Sequence, residues 1–248
     1  MATPKLLTTS PETDRVPGVI YRIEGEIGPV LHCRLDGSLG VFFEHHILLW
    51  KSLEVQINVH PMQGAIRRFI AGMQLIMSEA RGIGDIAFSR DAPGQIFPVH
   101  LPPGSGVIVR EHQWLAATSQ ITFTPHRQRG ITNMLFGGNS FWLDYFENPP
   151  DAKSEGIVWV HGFGNVFTKD LQEGESIDIE PGGWLFMDEK VTMKEKLVGL
   201  RTGLVAGKDN LILNRFTGPG RVGIQSIYYH PAHATKDNIP SLTEGADS

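Results

Sequence analysis

The segment GQIFPVHLPPGSGVIVREHQWLAATSQITF, residues 94–123, returns without a gap as GNVFTKDLQEGESIDIEPGGWLFMDEKVTM, residues 164–193. The two copies share glycine, leucine and tryptophan at positions that turns and cores require, and Trp114 aligns with Trp184. Self-similarity at a fixed spacing is typical of a chain built from equivalent structural units. The sequence therefore predicts at least two such units.

A third, more divergent copy lies upstream. It reads GPVLHCRLDGSLGVFFEHHILLWKSLEVQI, residues 28–57, and has Leu48 where the other copies have tryptophan. With the intervening segments included, the predicted repeats span residues 28–93, 94–163 and 164–230, and they are called repeats 1, 2 and 3 below. Three successive copies predict a pseudo-threefold organisation.

Each repeat carries the alternating pattern of β-strands. Apolar residues occupy every second position at Val107 and Val109 in repeat 2, and at Ile177 and Ile179 in repeat 3. Such alternation is typical of half-buried strands, and the Pro-Gly and Gly-Gly pairs between them mark turns. We therefore expect an all-β fold.

A single repeat of this size would bury little surface, and its sheets would expose edges that can pair with other strands. Three related units around one axis can cover each other's edges and share a core. The repeats therefore predict a closed ring or prism.

The repeats are not separated by flexible connectors rich in Ser, Gly and Pro, so they are expected to form one unit. We predict a single β domain over residues 18–230. Residues 1–17 are expected to be a loose arm, and residues 231–248 a polar, acidic tail.

Composition narrows the classes of function. The 248 residues carry a net charge of −5, which disfavours a nucleic-acid partner because such proteins normally present a basic face. The sequence has no apolar run long enough for a membrane span, and its first residues lack the apolar core of a secretory signal. Cys33 is the one cysteine and cannot form an internal disulfide, so we expect a reducing, cytoplasmic setting.

Three phrases resemble a known family: DAPGQIFPVHL (91–101), GITNMLFGGNSFWL (130–143) and NRFTGPGRVGIQS (214–226). The family is that of the mitochondrial-biogenesis, altered-inheritance-of-mitochondria proteins, whose bacterial members are known as a domain of unknown function. The resemblance extends over about residues 20–230. One departure from the family pattern is Glu44-His45-His46-Ile47, where members tend to have small residues and glycine.

The resemblance implies a fold like that of the tryptophan RNA-binding attenuation protein, in which small β units of double-stranded β-helix type form a ring. It also implies a role without catalysis, since eukaryotic members look like organisers of the mitochondrial inner membrane. The family has no agreed catalytic motif, so the resemblance assigns no catalytic, cofactor-binding or metal-binding residue to this chain.

Metal binding is the first alternative, because β barrels of cupin type bind metals. That chemistry needs two histidines on one strand face, and the sequence has no His-x-His. His45 and His46 are adjacent and would point to opposite faces of a strand, while His112, the counterpart of His46, is replaced by Gly182 in repeat 3. We therefore predict no metal site or cofactor among the histidines considered as ligands, namely His32, His45, His46, His60 and His100.

Catalysis by a nucleophile is not indicated. The sequence lacks a Gly-x-Ser-x-Gly elbow, and Cys33 falls in an alternating stretch that predicts a core position. Asp188 and Glu189 follow a strand and are interpreted as a solvated turn, and the Gly-x-Gly triplets at 82–84, 162–164 and 218–220 as turns rather than phosphate loops. We expect that the protein is not an enzyme.

RNA binding is a further alternative, suggested by basic residues that recur in the connectors within repeats. They are Arg67, Arg68, Arg127, Arg129, Lys194 and Lys196. In a net acidic chain, charged loops that flank strands are the simpler interpretation.

Aromatic residues suggest both the core and an interaction surface. Trp114, Trp184 and Trp50 are predicted to fill the core. The densest aromatic run is predicted to place part of its side chains outward, as a surface for a partner; it comprises Phe136, Phe141, Trp142, Tyr145 and Phe146. The sequence thus favours a non-enzymatic β scaffold that binds a protein or a membrane surface, and that can form a homo-oligomer.

Overall fold

The structure is a computed structural model that describes residues 5–6, 14–60, 77–128, 141–198 and 211–227. Strands dominate these residues, two short 3-10 turns (His45–Ile47 and Pro181–Gly183) accompany them, and no α-helix occurs within them. The prediction of an all-β fold is confirmed.

The strands before and within repeat 1 are β1 (Lys5–Leu6), β2 (Asp14–Val16), β3 (Val19–Glu24), β4 (Val30–Asp36), β5 (Val41–Glu44), β6 (Leu48–Lys51), β7 (Gln56–Val59), β8 (Met77–Arg81) and β9 (Ile83–Ser89). Those within repeat 2 are β10 (Gly94–Leu101), β11 (Ser105–Arg110), β12 (Trp114–Thr118), β13 (Thr122–Gln128), β14 (Phe141–Asn148) and β15 (Gly156–Phe163). Those within repeat 3 are β16 (Val166–Leu171), β17 (Ser176–Ile179), β18 (Trp184–Asp188), β19 (Thr192–Val198), β20 (Leu211–Thr217) and β21 (Gly220–Gln225).

The described strands form four antiparallel sheets. Their strand orders are β1-β16-β21-β18-β11-β14-β13, β10-β15-β12-β5-β8-β7, β2-β3-β4-β9-β6 and β17-β20-β19. None of these sheets closes on itself within the described residues, so the closed ring remains a prediction. Within the segment expected to be a loose arm, β1 pairs with β16 and β2 pairs with β3.

The pairing order is the same in each repeat. The last strand of a repeat lies between its first and third strands, as β9 lies between β4 and β6, β15 between β10 and β12, and β21 between β16 and β18. The fifth strand lies between the second and the fourth, as β8 lies between β5 and β7, β14 between β11 and β13, and β20 between β17 and β19.

Two hydrogen-bonded junctions join consecutive repeats. The second strand of repeat 1, β5, pairs with the third strand of repeat 2, β12, and β11 of repeat 2 pairs in the same way with β18 of repeat 3. These junctions extend the sheets from one repeat into the next. The three repeats thus form a series, and one edge of β6 and one edge of β17, at its two ends, have no partner among the described strands.

Buried apolar side chains of the described residues form three clusters. Trp114 and Trp184 are fully buried, as predicted, and so is Trp159, which the sequence reasoning did not single out. Trp50 is 44% exposed, so the prediction that it fills the core is wrong. No described strand covers the outer side of β6, and the Trp50 side chain therefore stays in contact with solvent.

Of the glycines in the triplets, Gly82, Gly164 and Gly218 lie at bends between strands, as predicted, whereas Gly84, Gly162 and Gly220 lie within β9, β15 and β21. Gly82 has a φ of 122°, which favours glycine, and a Cβ at this position would lie 2.6 Å from the carbonyl oxygen of Glu54. Gly82 therefore permits close contact with the backbone of Glu54 where the chain passes from β8 in one sheet to β9 in another.

Candidate functional site

Exposed apolar side chains are concentrated at one end of the series of repeats. Among the described residues, all the large exposed apolar side chains except Ile227 lie between positions 20 and 83. Three of them lie together on β6 and the turn that follows: Leu49 is 55% exposed, Trp50 is 44% exposed and Leu53 is 91% exposed. We call β6 together with residues 52–53 the β6 edge.

The β6 edge has two buried counterparts. In each repeat the third strand carries a β-bulge, and the bulged residue is a leucine: Leu49, Leu115 and Leu185. Leu115 and Leu185 are 0% exposed, whereas Leu49 is more than half exposed. The bulged leucine is therefore buried in repeats 2 and 3 and exposed in repeat 1.

The junctions explain this difference. Leu115 packs in a cluster with Val41 and Phe43 of the preceding repeat, because β12 pairs with β5. Leu185 packs with Val107 and Val109 for the same reason, because β18 pairs with β11. Among the described strands β6 pairs with β9 alone, so no preceding strand covers Leu49.

The opposite end of the series has a matching open edge on β17. This strand pairs with β20 alone among the described strands, whereas its counterparts β5 and β11 each have a partner on both sides. Ile177 is half-buried, while the corresponding Val41 and Val107 are 0% exposed. Asp178 lies between the two isoleucines of β17 and forms an ion pair with Arg215 at 2.6 Å.

A group of carboxylates and histidines lies at the first junction. Glu44, at the end of β5, has one carboxylate oxygen 3.6 Å from Nδ1 of His112 and the other 3.5 Å from Nε2 of His46. His112 Nε2 lies 3.6 Å from a carboxylate oxygen of Glu111, and Asp144 of β14 is 4% exposed nearby. Because Glu44 and Asp144 are both buried, their charges act on each other through little water.

The pKa values of this group shift in consistent directions. Burial, reinforced by the charges of Glu44 and Glu111, raises the pKa of Asp144 to about 8. Burial also raises the pKa of Glu111, while the hydrogen bond and the charge of Glu44 raise the pKa of His112. The group can therefore hold protons near neutral pH.

Those histidines considered as metal ligands whose side chains are described lie beside a carboxylate. His32 is paired with Glu24, His60 with Glu79, and His100 with Glu155 and Asp14. The side chain of His45 lies outside the described residues. Within the part of the chain that the structure describes, no three His, Cys, Asp or Glu residues are grouped so that they could hold a metal ion.

Cys33 is buried, as predicted, and its burial raises the pKa of the thiol above its usual range, which disfavours the reactive thiolate.

Asp188 is less solvated than predicted, because it receives hydrogen bonds from the backbone and the guanidinium of Arg221. Glu189, which follows it, accepts a hydrogen bond from the hydroxyl of Tyr145 at 3.1 Å.

The structure describes the side chains of two residues of the aromatic run, so the outward surface predicted for the run stays a prediction. Phe146 is 0% exposed and packs against Trp114 and Phe123, because β14 directs it to the core. Tyr145 is half-buried. Phe136 and the side chains of Phe141 and Trp142 lie outside the described residues.

The basic residues of the connectors are only partly described. Arg67, Arg68, Arg129 and the side chain of Arg127 lie outside the described residues. Lys194 is exposed, and Lys196 lies 3.6 Å from Asp178. RNA binding through these residues stays a prediction.

Sequence reasoning did not find the β6 edge, although it noticed two signals beside it. The first was Leu48 in place of the repeated tryptophan, and the second was the unusual Glu44-His45-His46 turn. Neither signal indicates that β6 lacks a neighbouring strand, because the neighbours of a strand depend on how the repeats are arranged.

No helix among the described residues is long and apolar enough to cross a membrane. A search of the curated proteins found none that matches this chain. Among solved structures, the X-ray crystal structure of protein SPYM3_0169 from Streptococcus pyogenes is similar, with a TM-score of 0.64 and 19% sequence identity. The likeness covers 84% of this chain and 93% of that chain, and at this identity it shows a shared fold.

The model of one protein family, described as mitochondrial biogenesis AIM24, matches residues 21–227. The match includes all three predicted repeats except the last residues of repeat 3, and it confirms the resemblance seen in the sequence. The chain therefore belongs to the AIM24 family of mitochondrial biogenesis proteins.

Proposed function

We propose that this chain is a non-enzymatic β scaffold that binds a protein partner through the β6 edge. The observation that carries the proposal is the exposure of Leu49, which is 55% exposed where the equivalent Leu115 and Leu185 are fully buried. An edge that no described strand covers, and that carries exposed apolar side chains, is a site for strand addition.

The scaffold consists of three related β units arranged around a pseudo-threefold axis, as in the tryptophan RNA-binding attenuation protein. Support comes from the common pairing order, from the bulge found in each third strand, and from the two equivalent junctions. Among the described strands β17 and β6 are not joined, which leaves the β6 edge available to a partner.

A protein partner fits the β6 edge better than a membrane surface does. The edge offers backbone N–H and C=O groups beside its apolar side chains, and another strand satisfies such groups whereas lipid does not. Lys51 within the edge and Glu54 beside it carry opposite charges, which suits a specific partner rather than an anionic lipid surface.

The absence of catalysis and a cytoplasmic setting are part of the proposal. In support, His100 and Asp188 already have partners within the protein, and the Cys33 thiol lies in the core. A free, buried cysteine suits a reducing compartment.

Quantitative affinity capture tests the function. The double variant Leu49→Ser, Trp50→Ser changes two exposed side chains of the edge, and Ile227→Ser is the matched control because Ile227 is 50% exposed in repeat 3. We expect a partner that is captured by the wild type and by the control and is lost with the double variant. An identical set of captured proteins for all three, or turnover of a metabolite by the purified chain, would contradict the proposal.

A further inference from the structure

The first junction, where β5 of repeat 1 pairs with β12 of repeat 2, is flanked by groups that change charge with pH. We propose that this junction is a pH-sensitive hinge, which keeps repeat 1 docked on repeat 2 at neutral pH and lets the two repeats separate as the pH rises. The inference goes beyond the proposed function and does not depend on the partner of the β6 edge.

Glu44, the last residue of β5, is a buried carboxylate with histidines on both sides. It is 3% exposed, and its two oxygens lie 3.6 Å from Nδ1 of His112 and 3.5 Å from Nε2 of His46. The oxygen that faces His46 has no hydrogen bond to a described residue. Because a buried charge is costly unless it is paired, Glu44 depends on two partners whose own charge changes with pH.

Asp144 of β14 is the second buried carboxyl group at this junction. It is 4% exposed, and the charge of Glu44 acts on it. The residues that lie opposite it, Val109 of β11 and Pro125 of β13, carry no charge. Two carboxylates that water barely reaches repel each other, so Asp144 keeps its proton at a pH where an exposed aspartate has lost it.

Other charged residues on the neighbouring strands do not replace the histidines as partners of Glu44. At the end of β11, Arg110 donates to a backbone carbonyl of repeat 3. On β8, the other neighbour of β5, Glu79 pairs with Arg81 at 2.6 Å and with His60 at 3.4 Å. The side chain of Arg127 on β13 lies outside the described residues. Among the described residues, the ion pairs of Glu44 are therefore those with the two histidines.

The shifted pKa values of this junction all act in the same direction. The pKa of Asp144 is raised from 3.8 to about 8 by burial and neighbouring charge, that of Glu111 is raised by burial, and that of His112 is raised above 6.5 by its hydrogen bond to Glu44. A group whose pKa is raised in the closed junction stabilises that junction at low pH, and the effect is lost as the pH rises. The loss extends to about pH 8 for Asp144 and begins near 6.5 for His112, so the junction weakens across neutral pH.

The second junction provides a comparison without these groups. Arg110 has the position in β11 that Glu44 has in β5, and its guanidinium donates to the carbonyl oxygen of Pro181 at 2.9 Å. Neither a guanidinium nor a carbonyl changes charge near neutral pH. The counterpart of His112 in repeat 3 is Gly182, which has no side chain to titrate. We therefore expect the second junction to stay closed when the first one opens.

The turn that carries His112 is maintained by its contacts. His112 has a φ of 61°, a left-handed conformation that residues with a side chain rarely adopt. Such conformations persist where the surrounding structure holds them, and Glu44 supplies one of the contacts from the other repeat. When His112 loses its charge, the turn loses an attraction that holds it against β5.

Hydrogen exchange at two equivalent amides tests the inference. The amide of Ser119 donates to the carbonyl oxygen of Gly40 at 2.9 Å across the first junction, and the amide of Glu189 donates to that of Gly106 at 3.2 Å across the second. NMR measures both exchange rates from about pH 6 to about pH 8, and division by the intrinsic rate at each pH gives the protection factor.

We expect Ser119 to be less protected than Glu189, and its protection to fall by about tenfold per pH unit, because opening releases a proton. Low concentrations of urea should leave the protection of Ser119 unchanged and lower that of Glu189, since local opening exposes far less surface than unfolding of the domain. Equal protection of the two amides, an equal effect of urea on both, or a Ser119 value independent of pH would overturn the inference.

Two variants identify the groups responsible. Asp144→Asn has a neutral side chain of similar size and should reduce the pH dependence at Ser119, whereas the control Asp85→Asn, which changes a carboxylate paired with Arg34 in another sheet, should not.

Glu44→Gln should lower the pH at which the imidazole of His112 titrates in NMR spectra, because Glu44 raises its pKa. An unchanged His112 titration, or an undiminished pH dependence in Asp144→Asn, would also overturn the inference. The exchange profile of the wild type tests it even where a variant fails to fold.

Discussion

Truncation of the three bulge leucines to alanine offers a matched test at one structural position. Leu115 and Leu185 are fully buried, each in a cluster that spans two repeats, whereas Leu49 is 55% exposed. Leucine-to-alanine substitution in a packed core costs about 2–5 kcal/mol of unfolding free energy, which combines lost transfer energy with the cavity left behind. Substitution of an exposed side chain usually changes stability by less than about 0.5 kcal/mol.

We therefore expect Leu115→Ala and Leu185→Ala to lower the free energy of unfolding strongly, and Leu49→Ala to leave it nearly unchanged in dilute solution. Urea titration followed by tryptophan fluorescence measures the three variants, because Trp114, Trp159 and Trp184 are fully buried in the folded state.

The unfolding free energy of Leu49→Ala in dilute solution shows whether the β6 edge is open in the monomer. If Leu49→Ala destabilised the monomer as much as Leu115→Ala does, the leucine would be covered by its own chain. The β6 edge would then be covered within one molecule and would not be open in solution.

Three further predictions concern the interior. Because the pKa of Asp144 is raised from 3.8 to about 8, the folded state holds a proton that the unfolded state releases, so the free energy of unfolding should fall as pH rises between these values. Asp144→Asn should reduce this fall, and urea titrations from pH 5 to pH 8 would show it; an equal slope in both proteins would contradict the assignment. Asn148→Ala removes side-chain hydrogen bonds to the carbonyls of Leu101 and Ser154 at 2.8 and 2.9 Å, and leaving these acceptors unpaired should cost about 1–3 kcal/mol each in denaturant unfolding, an expectation that an unchanged midpoint would refute. Cys33 should react with a thiol reagent only at the rate of unfolding, since it is buried, and rapid labelling of the folded protein would contradict this burial.

Much of the fold could be predicted from local patterns. Alternation at Val107 and Val109 identified strands, and the aligned tryptophans Trp114 and Trp184 identified core positions, because each depends on the residue and its neighbours along the strand. Trp50 is also a tryptophan in the third strand of its repeat, but its side chain is exposed. Its burial depends on a strand from elsewhere, which no local pattern reveals.

The cluster of carboxylates and histidines at the first junction could not be predicted from local patterns either. Glu44 and His46 are close in the sequence and drew attention there, but Glu111, His112 and Asp144 join them only because β5 lies beside β12 and β11 beside β14. The raised pKa of Asp144 follows from that arrangement, since burial and neighbouring charge both arise from tertiary contacts.

The order of residues alone was enough to predict the β-strands and the family, because the pattern of apolar residues, glycines and tryptophans is a property of the sequence. The assignment of Leu49 to the surface, and of Leu115 and Leu185 to the interior, came from the tertiary structure alone. The three leucines occupy the same bulge in the same kind of strand, and what separates them is whether a strand of a preceding repeat lies alongside.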